Sequence, residues 1–359
     1  MHGQVLSENN SLIFILCNFE GYKAVGLGID KLLNVMKKGL LAGICLLPLF
    51  GFAQSANSWI DFSQTYYKIP VAQDGVYRLT YTDLQNAGVP VGSIDPRFIQ
   101  IFHRGTQQAI YFKNDQQPAD SKFDATEYLE FYGQHNDGTR DSKLYTPASA
   151  QPHSYYNIYS DTAAYFLTWN QLPVQGKRMT SFSEVNVSGL PKQTAQTSQR
   201  LSLFTSQYSG GETLSDDIQY SYFNNGEGWT GSTICTGTSG CTGFQDVIID
   251  QLINTVTTAA GPQFEIQLMG REDLNHVAEV YVGPNTGSLR LIETQSFTNY
   301  ETPTIIKTLN WSDVGADGKL AVRVKALGLG GGRDLLSISY IKVNFAQGFD
   351  LTGQTQKQF

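Results

Sequence analysis

The stretch Ser337–Phe345, SISYIKVNF, decides the fold class of this chain. Apolar residues at 338, 341, 343 and 345 are typical of a strand that faces a protein core. Turn residues such as Gly283-Pro284 and Asp317-Gly318 separate it from similar segments upstream. Those predicted strands are Phe244–Ile249, Gln263–Met269, Val277–Val282, Leu289–Thr294 and Lys319–Val324. Short strands at this spacing predict a mainly β protein with a jelly-roll-like β-sandwich over 201–346.

The region before the sandwich predicts a small N-terminal β-rich (α+β) domain over 57–172. Strands are expected at 66–71 and 76–80 around the turn residue Gly75, and a helix from Thr82-Asp83 to Gly88. Asp124–Tyr132 fits either a strand or a short helix. The remaining predicted strands are 98–104 and 108–113, paired around Gly105, and then 155–159 and 164–169. The polar segment 173–200 is predicted to be a linker that contributes a strand near 178–182.

A secretory leader is predicted over 36–54. Lys37-Lys38 precede the apolar run Gly39–Phe52, and Gly51 and Ala53 are the small residues that a signal peptidase needs. Residues 1–35 would then be a misannotated upstream extension. A buried helix or a short membrane anchor is disfavoured by Pro48 and by the polar residues that follow, so no transmembrane anchor is expected in the mature chain. Lipidation is disfavoured because Ile44, rather than a small residue, precedes Cys45.

Composition and charge fit an exported β protein. The chain has 12% aromatic and 16% charged residues and 35 glycines. Of its 25 basic and 32 acidic residues, four and three lie in 1–54, which leaves the mature part with a net charge of −8. No basic stripe is visible, so nucleic acid is excluded as an expected partner.

Two cysteines, Cys235 and Cys241, remain after the leader. In an oxidising compartment they are expected to form a structural disulfide that contributes about 2 kcal/mol by loop-closure entropy. Two free thiols are the alternative. A zinc site needs more ligands than this pair and no histidine is nearby, so no metal or other cofactor is predicted.

One short segment, Asn224–Trp229 (NNGEGW), is less generic than the rest. It places the carboxylate of Glu227 and the indole of Trp229 among residues that favour turns. Glu227 could be an acid, a metal ligand or a carboxylate that ties down loop N–H groups. The structural interpretation of the segment is a tight turn in which Trp229 is packed as an anchor. The functional one is a docking surface formed by Glu227 and Trp229, because a rigid aromatic on a constrained loop binds at little entropy cost.

Other residues give weak signals. His103, His135, His153 and His276 are scattered and are interpreted as ordinary packed or surface histidines. Asn136–Asp141 resembles a calcium-binding loop in composition. It lacks the third and fourth oxygen ligands and the distal Glu of a complete site, so it is interpreted as a solvated turn. No catalytic residue is predicted.

The order of several segments along the chain resembles the N-terminal region of gingipain-like cysteine peptidases, most closely the sortase of the type IX secretion system. Those segments are Tyr67–Leu79 (YKIPVAQDGVYRL), 84–88, Phe123–Gly133 (FDATEYLEFYG), Tyr165–Trp169 (YFLTW), Gly226–Gly231 (GEGWTG), His276–Gly283 (HVAEVYVG) and Tyr340–Asn344 (YIKVN). Together they extend over nearly the whole mature chain.

The resemblance implies a non-catalytic accessory role. In the family, these β-rich regions precede a caspase-like α/β domain that holds a His–Cys dyad, and the family's catalytic residues have no matching positions here. The chain is therefore expected not to be an enzyme, and to be either a truncated reading frame with a truncated tail over 347–359 or a stand-alone product. The implied partners are a peptidase domain or outer-membrane components of the secretion system. The implied location is the periplasm, outer membrane or cell surface of a Gram-negative bacterium.

Two other classes of function stay open. A carbohydrate-binding or adhesive β-sandwich would use exposed aromatics such as Tyr220, Tyr222 and Trp229 as a sugar platform. A secreted hydrolase would need a second carboxylate facing Glu227, which the sequence does not identify.

Overall fold

The chain forms a small N-terminal β block followed by a larger antiparallel β-sandwich, so the prediction of a mainly β fold is confirmed. The computed structural model describes residues 57–113, 121–170, 174–183, 188–215 and 218–350. The extension 1–35, the leader 36–54 and residues 351–359 of the tail lie outside these ranges. From Asp61 onward the chain is one compact unit. None of the helices in the described ranges is long and apolar enough to cross a membrane.

Two small antiparallel sheets build the N-terminal block. Its strands are β1 (Tyr67–Val71), β2 (Gly75–Thr80), β3 (Ile99–His103), β4 (Thr106–Gln108), β5 (Ile110–Lys113), β6 (Tyr128–Gly133) and β7 (Ala163–Trp169). One sheet has the order β1–β7–β3–β4 and the other β2–β6–β5. Ile101 and Leu167 from the first sheet and Leu129 and Phe131 from the second are fully buried in one apolar core.

The predicted helix of this block is α1, Tyr81–Asn86. It begins one residue earlier than expected, because Thr80 is its N-cap and Asp83 completes a reciprocal capping box. Gly88 follows the helix with φ +80°, a conformation that favours glycine.

Three details of the N-terminal block differ from the sequence prediction. Residues 98–104 do form a hairpin around Gly105, but its partner strand stops at Gln108 and Ile110–Lys113 pairs with β6 in the other sheet. Residues 155–159 are not a strand, because the side-chain oxygen of Asn157 accepts the N–H groups of residues 159 and 160 and folds the chain into a turn. Near 178–182 only one isolated bridge forms, between Ile110 and Arg178.

The sandwich consists of two main sheets. The first contains β8 (Ala195–Leu203), β13 (Ile234–Thr236), β15 (Gln263–Gly270), β18 (Thr304–Thr308) and β20 (Asp334–Gly348). The second contains β14 (Phe244–Ile249), β16 (Asn275–Gly283), β17 (Arg290–Thr298) and β19 (Leu320–Ala326). β20 is the central strand of the first sheet, and it pairs with β15 on one side and with β8 and β13 on the other.

The apolar residues of the stretch Ser337–Phe345 contribute to the core of the sandwich. Ile338, Ile341, Val343 and Phe345 are all buried between the two sheets. β8 begins at Ala195, inside the segment predicted as a linker, and the polar sequence AQTSQRLSL explains why its strand pattern was weak.

Two small hairpin-like pairs lie beside the sandwich. They are β9 (Gln207–Gly210) with β12 (Glu227–Thr230), and β10 (Thr213–Ser215) with β11 (Ile218–Gln219). β12 is anchored to β20 because the hydroxyl of Thr230 lies 2.7 Å from that of Ser337 and donates to the carbonyl of Ile338. The Glu227–Trp229 segment is therefore a strand against the outer face of the first sheet.

Candidate functional site

Glu227 is held by its neighbours on both sides of β12. Its carboxylate accepts hydrogen bonds from the Tyr208 hydroxyl at 2.9 Å and from the Asn224 backbone N–H at 3.2 Å. Its backbone carbonyl accepts a third bond from the Tyr145 hydroxyl at 3.0 Å. Burial raises the pKa of Glu227, while the bonds from Tyr208 and Asn224 oppose that shift. These contacts fit the structural role predicted for this carboxylate.

Trp229 packs inward. Its indole N–H donates to the carbonyl of Ile158 at 2.9 Å, and its ring makes edge contacts with Tyr208 and Tyr156 at centroid distances of 5.5 and 6.4 Å. The side chain is half-buried. Trp229 thus joins β12 to the loop between β6 and β7 of the N-terminal block, rather than standing out from the surface.

A pocket with a volume of about 20 Å³ lies under Trp229 and is lined in part by Tyr145, His153 and Tyr156. That volume is close to what one water molecule needs. Burial lowers the pKa of His153 to about 4, so this histidine is neutral near pH 7. The pocket is too small to admit a substrate.

The exposed aromatics lie next to this cluster. We define the aromatic patch as Tyr159, Tyr208, Tyr220, Tyr222 and Phe223. Tyr159 is 74% exposed, Tyr222 is 41% exposed and Tyr208 is 39% exposed. The rings of Tyr220 and Tyr222 are stacked at 5.2 Å, and Phe223 lies edge-on to Tyr159 at 6.3 Å. Leu214 and Ile218 of the β10–β11 pair are also exposed apolar side chains, close in sequence to Tyr220.

The loop 145–160, which joins β6 to β7 within the N-terminal block, packs against the sandwich. Tyr155 packs edge-on against Tyr340 at 4.9 Å, and its hydroxyl accepts a hydrogen bond from the Lys342 ammonium at 2.8 Å. Lys342 also pairs with Glu265 at 2.7 Å, and this carboxylate accepts the Tyr340 hydroxyl. The outer face of β15 and β20 is thereby covered by a polar, hydrogen-bonded contact with this loop.

The two cysteines are joined. The Cys235–Cys241 disulfide has a Cα–Cα distance of 5.2 Å and closes the loop 236–240 at the end of β13. Gly243 N–H donates to the carbonyl of Cys235 and fixes the exit of this loop.

His276 is the most unusual of the four described histidines. Together with Asp334 it is fully buried, and its Nδ1 lies 2.6 Å from the Asp334 carboxylate. Its Nε2 faces the carbonyls of Asn299 and Glu272 at 2.8 and 3.2 Å. Since carbonyl and carboxylate oxygens accept only, both ring nitrogens are placed as donors. Burial opposes the charged form, but these oxygens outweigh it and raise the pKa of His276. The description of an ordinary packed histidine therefore misses a buried His–Asp ion pair.

The calcium-like turn 136–141 is organised by a buried carboxylate rather than fully solvated. Asp141 accepts the side-chain amide of Asn157 at 2.7 Å and the backbone N–H of Ile158 at 2.8 Å. In the described part of the chain, no group of three or more His, Cys, Asp or Glu side chains is arranged to hold a metal ion.

The sequence singles out Glu227 and Trp229 but does not indicate which residues they contact. Tyr145, Ile158 and Tyr208 come from segments that are distant in sequence, so no local motif links them. Tyr220 and Tyr222 are close in the sequence, so their proximity could be expected, and the structure stacks their rings.

The fold is similar to part of a known structure. No family model and no curated protein matches the chain. The crystal structure of dimeric latent PorU from Porphyromonas gingivalis matches with a TM-score of 0.50 and 16% identity. The match covers 79% of this chain and 24% of the PorU chain, so it spans about a quarter of that protein. At this identity the similarity shows a shared fold.

Two carbohydrate-binding modules also match, but their TM-scores are too low to indicate a shared fold. The module from glycoside hydrolase family 9 of Ruminococcus flavefaciens FD-1 has a TM-score of 0.22 at 8% identity, covering 32% of this chain and 95% of the module. A family 35 module from Cellvibrio japonicus has a TM-score of 0.23 at 17% identity, covering 43% of this chain and 99% of the module.

Proposed function

We propose that this chain is a non-catalytic accessory region of a gingipain-like cysteine peptidase of the type IX secretion sortase type. In this proposal it is exported to the periplasm, outer membrane or cell surface of a Gram-negative bacterium. Its work is to pack against and hold a peptidase domain through the aromatic patch. Glu227 and Trp229 support the patch from beneath.

The observation that carries the proposal is the fold similarity to latent PorU. We take the matched PorU structure as a relative of the gingipain-like sortases, and the match takes in 79% of this chain, which includes residues of both β blocks. The sequence resemblance to the same family rests on segments from both blocks, such as Phe123–Gly133 and Tyr340–Asn344. The fold and the sequence resemblance therefore support the same assignment.

The disulfide-bonded cysteines and the buried His276 also favour a non-catalytic role. Cys235 and Cys241 are bonded to each other, so neither offers a thiolate. His276 is buried and bonded through both ring nitrogens, which removes it as a general base.

The aromatic patch has the properties of a docking surface. Exposed tyrosines supply large contact areas with few rotatable bonds, and such residues dominate binding energy at interfaces. Tyr208 is held by Glu227, and Trp229 fixes the loop that carries Tyr159, so these two tyrosines of the patch are positioned before any partner arrives. A preorganised surface loses less entropy on binding.

The occupant we assign to the patch is a peptidase domain. The matched region is 24% of the PorU chain, so most of a PorU-like protein lies outside the part that this chain represents. In a PorU-like protein, the part outside the matched region would be the first candidate to contact a surface such as the aromatic patch.

The test measures binding between the purified chain and a gingipain-like peptidase domain from the source organism. Tyr222→Ala is expected to weaken binding about tenfold, the loss typical of an interface anchor. The matched control is Tyr111→Ala, which removes a tyrosine of similar exposure (44%) from β5 in the N-terminal block. An equal loss in both variants, or no binding by the wild type, would overturn the docking role. Binding only to outer-membrane secretion components would replace the assigned partner.

A separate assay tests the absence of catalysis. Lysyl, arginyl and sorting-signal peptides are incubated with wild type and Cys241→Ala, and no turnover is expected from either. Thiol-dependent cleavage that the variant loses would refute the accessory role.

A carbohydrate-binding role is the second candidate, favoured by the stacked Tyr220 and Tyr222 rings. Aromatic faces of this kind bind sugar rings. A glycan array with wild type and Tyr222→Ala separates the two functions, because only a sugar platform gives glycan signals that the substitution removes.

A further inference from the structure

A polar pocket with a volume of about 200 Å³ lies at one end of the N-terminal block, outside the aromatic patch. We define the polar pocket by its lining residues: Asp74, His103, Arg104, Gln134, His135, Asp137 and Thr139. They come from the β1–β2 turn, the β3–β4 turn and the loop after β6. Three separate segments thus converge with polar side chains on this pocket, away from Glu227 and Trp229.

His135 is oriented in the polar pocket by Asp74. The Asp74 carboxylate lies 2.6 Å from the ring Nδ1 of His135 and accepts its backbone N–H at 2.8 Å. A carboxylate accepts only, so Nδ1 carries a proton, and in the tautomer that this bond selects Nε2 is an acceptor. Nε2 makes no hydrogen bond to any residue in the described ranges.

Arg104 occupies a conformation that arginine rarely adopts. Its φ is +51° in the two-residue turn with Gly105, where asparagine or glycine is usual. One Nη2–H bond, 2.8 Å long, holds the side-chain oxygen of Asn136. The other guanidinium N–H groups have no acceptor among the described residues. Strained backbone of this kind concentrates at functional sites.

The remaining lining adds both acceptors and a planar wall. Asp137 uses one carboxylate oxygen to cap the N–H and hydroxyl of Thr139. The His103 ring lies on Tyr165 at 4.1 Å with 20° between the planes. Burial lowers the pKa of His103, and Arg104 and Arg140 lower it further, so this ring is neutral near pH 7.

We propose that the polar pocket binds a small polyhydroxylated ligand, either a monosaccharide or the terminal unit of a glycan. Hydroxyl groups both donate and accept, which fits a lining that mixes carboxylates and an imidazole acceptor with guanidinium and amide donors. The two carboxylates disfavour an anion, and the polar lining disfavours an apolar ligand. The volume is below the roughly 300 Å³ at which pockets for drug-sized ligands begin, so one sugar unit is the expected size.

The test follows the imidazole signals of the full chain by NMR with ¹³Cε1-labelled histidine. The probes are methyl glycosides of glucose, galactose, mannose and N-acetylglucosamine, short oligosaccharides with the same terminal units, and acetate and inorganic phosphate. At least one glycoside is expected to shift the imidazole signals of both His103 and His135. His153 and His276, which lie elsewhere, are internal controls and remain unmoved.

Arg104→Gly is the matched variant, because glycine accepts φ +51° and the turn remains intact. It removes a charged donor, so the affinity for the glycoside is expected to fall about tenfold. A second variant, Asp137→Asn, keeps the shape and is expected to weaken binding as well. Oligosaccharides that bind without their monosaccharides assign the ligand to a glycan terminus. Shifts with acetate or phosphate alone, no shift with any sugar, or unchanged affinity in both variants would overturn the proposal.

Discussion

Replacing Asp334 by asparagine tests the buried ion pair of the sandwich. Asp334→Asn keeps the size of the side chain but leaves His276 without its carboxylate. The lost carboxylate also accepts the N–H groups of Val277 and Gly328 at 3.1 and 3.2 Å, so an amide would face several donors. Breaking a buried pair by removing one partner costs about 3–5 kcal/mol. At about 2–4 °C per kcal/mol for a domain of this size, the melting temperature should fall by roughly 6–20 °C.

The pH dependence of the melting temperature tests whether His276 is positively charged in the folded state. Its pKa is raised above the usual 6.5, so its contribution to stability is complete below that value and is lost as pH rises through the raised pKa. The gap in melting temperature between wild type and Asp334→Asn is therefore expected to be largest below about pH 6 and to narrow with rising pH. Scanning calorimetry over pH 5–9 measures it.

An exposed pair of the same geometry serves as the control. Asp74 lies 2.6 Å from His135 Nδ1, as Asp334 does from His276, but both side chains are about one-third exposed. Asp74→Asn should cost under about 1 kcal/mol. Similar losses in both variants, or a gap that widens toward high pH, would refute the argument that burial and a charged His276 make this pair strong.

The remaining predictions concern stability at three other places. Replacing Cys235 and Cys241 by serine removes a short-loop disulfide and should lower the free energy of unfolding by about 2 kcal/mol in urea titrations; no change would show that the loop adds nothing. Trp229→Phe should cost about 1–3 kcal/mol because the carbonyl of Ile158 loses its donor, and equal stability would contradict an inward anchor. Thr80→Ala should cost about 1 kcal/mol through the lost N-cap, whereas Thr80→Ser should cost much less.

The architecture was predictable where a signal is local. The apolar spacing in 337–345 gave the central strand β20, and Thr80 with Asp83 forms a capping box that can be recognised from sequence. The 6-residue separation of Cys235 and Cys241 indicated their pairing, which is present in the structure.

Features that depend on tertiary contacts were not predictable. His276 and Asp334 are 58 residues apart and meet only because Asp334 begins β20 beside the end of the second sheet. The loop at 155–159 has an aromatic pattern that suits a strand, but the Asn157 side chain supplies the hydrogen bonds that a neighbouring strand would have made. Local propensity has no access to such competition.

The most direct test of the accessory role is hydrogen exchange in the presence of a gingipain-like peptidase domain. Backbone amides in 218–223, which carry Tyr220 and Tyr222, are expected to become protected when the domain binds, and those near Tyr159 as well. Amides around Tyr111 should exchange at the same rate with and without the domain. Protection confined to the strands β1–β7, or no change at the aromatic patch while the domain is bound, would contradict the account.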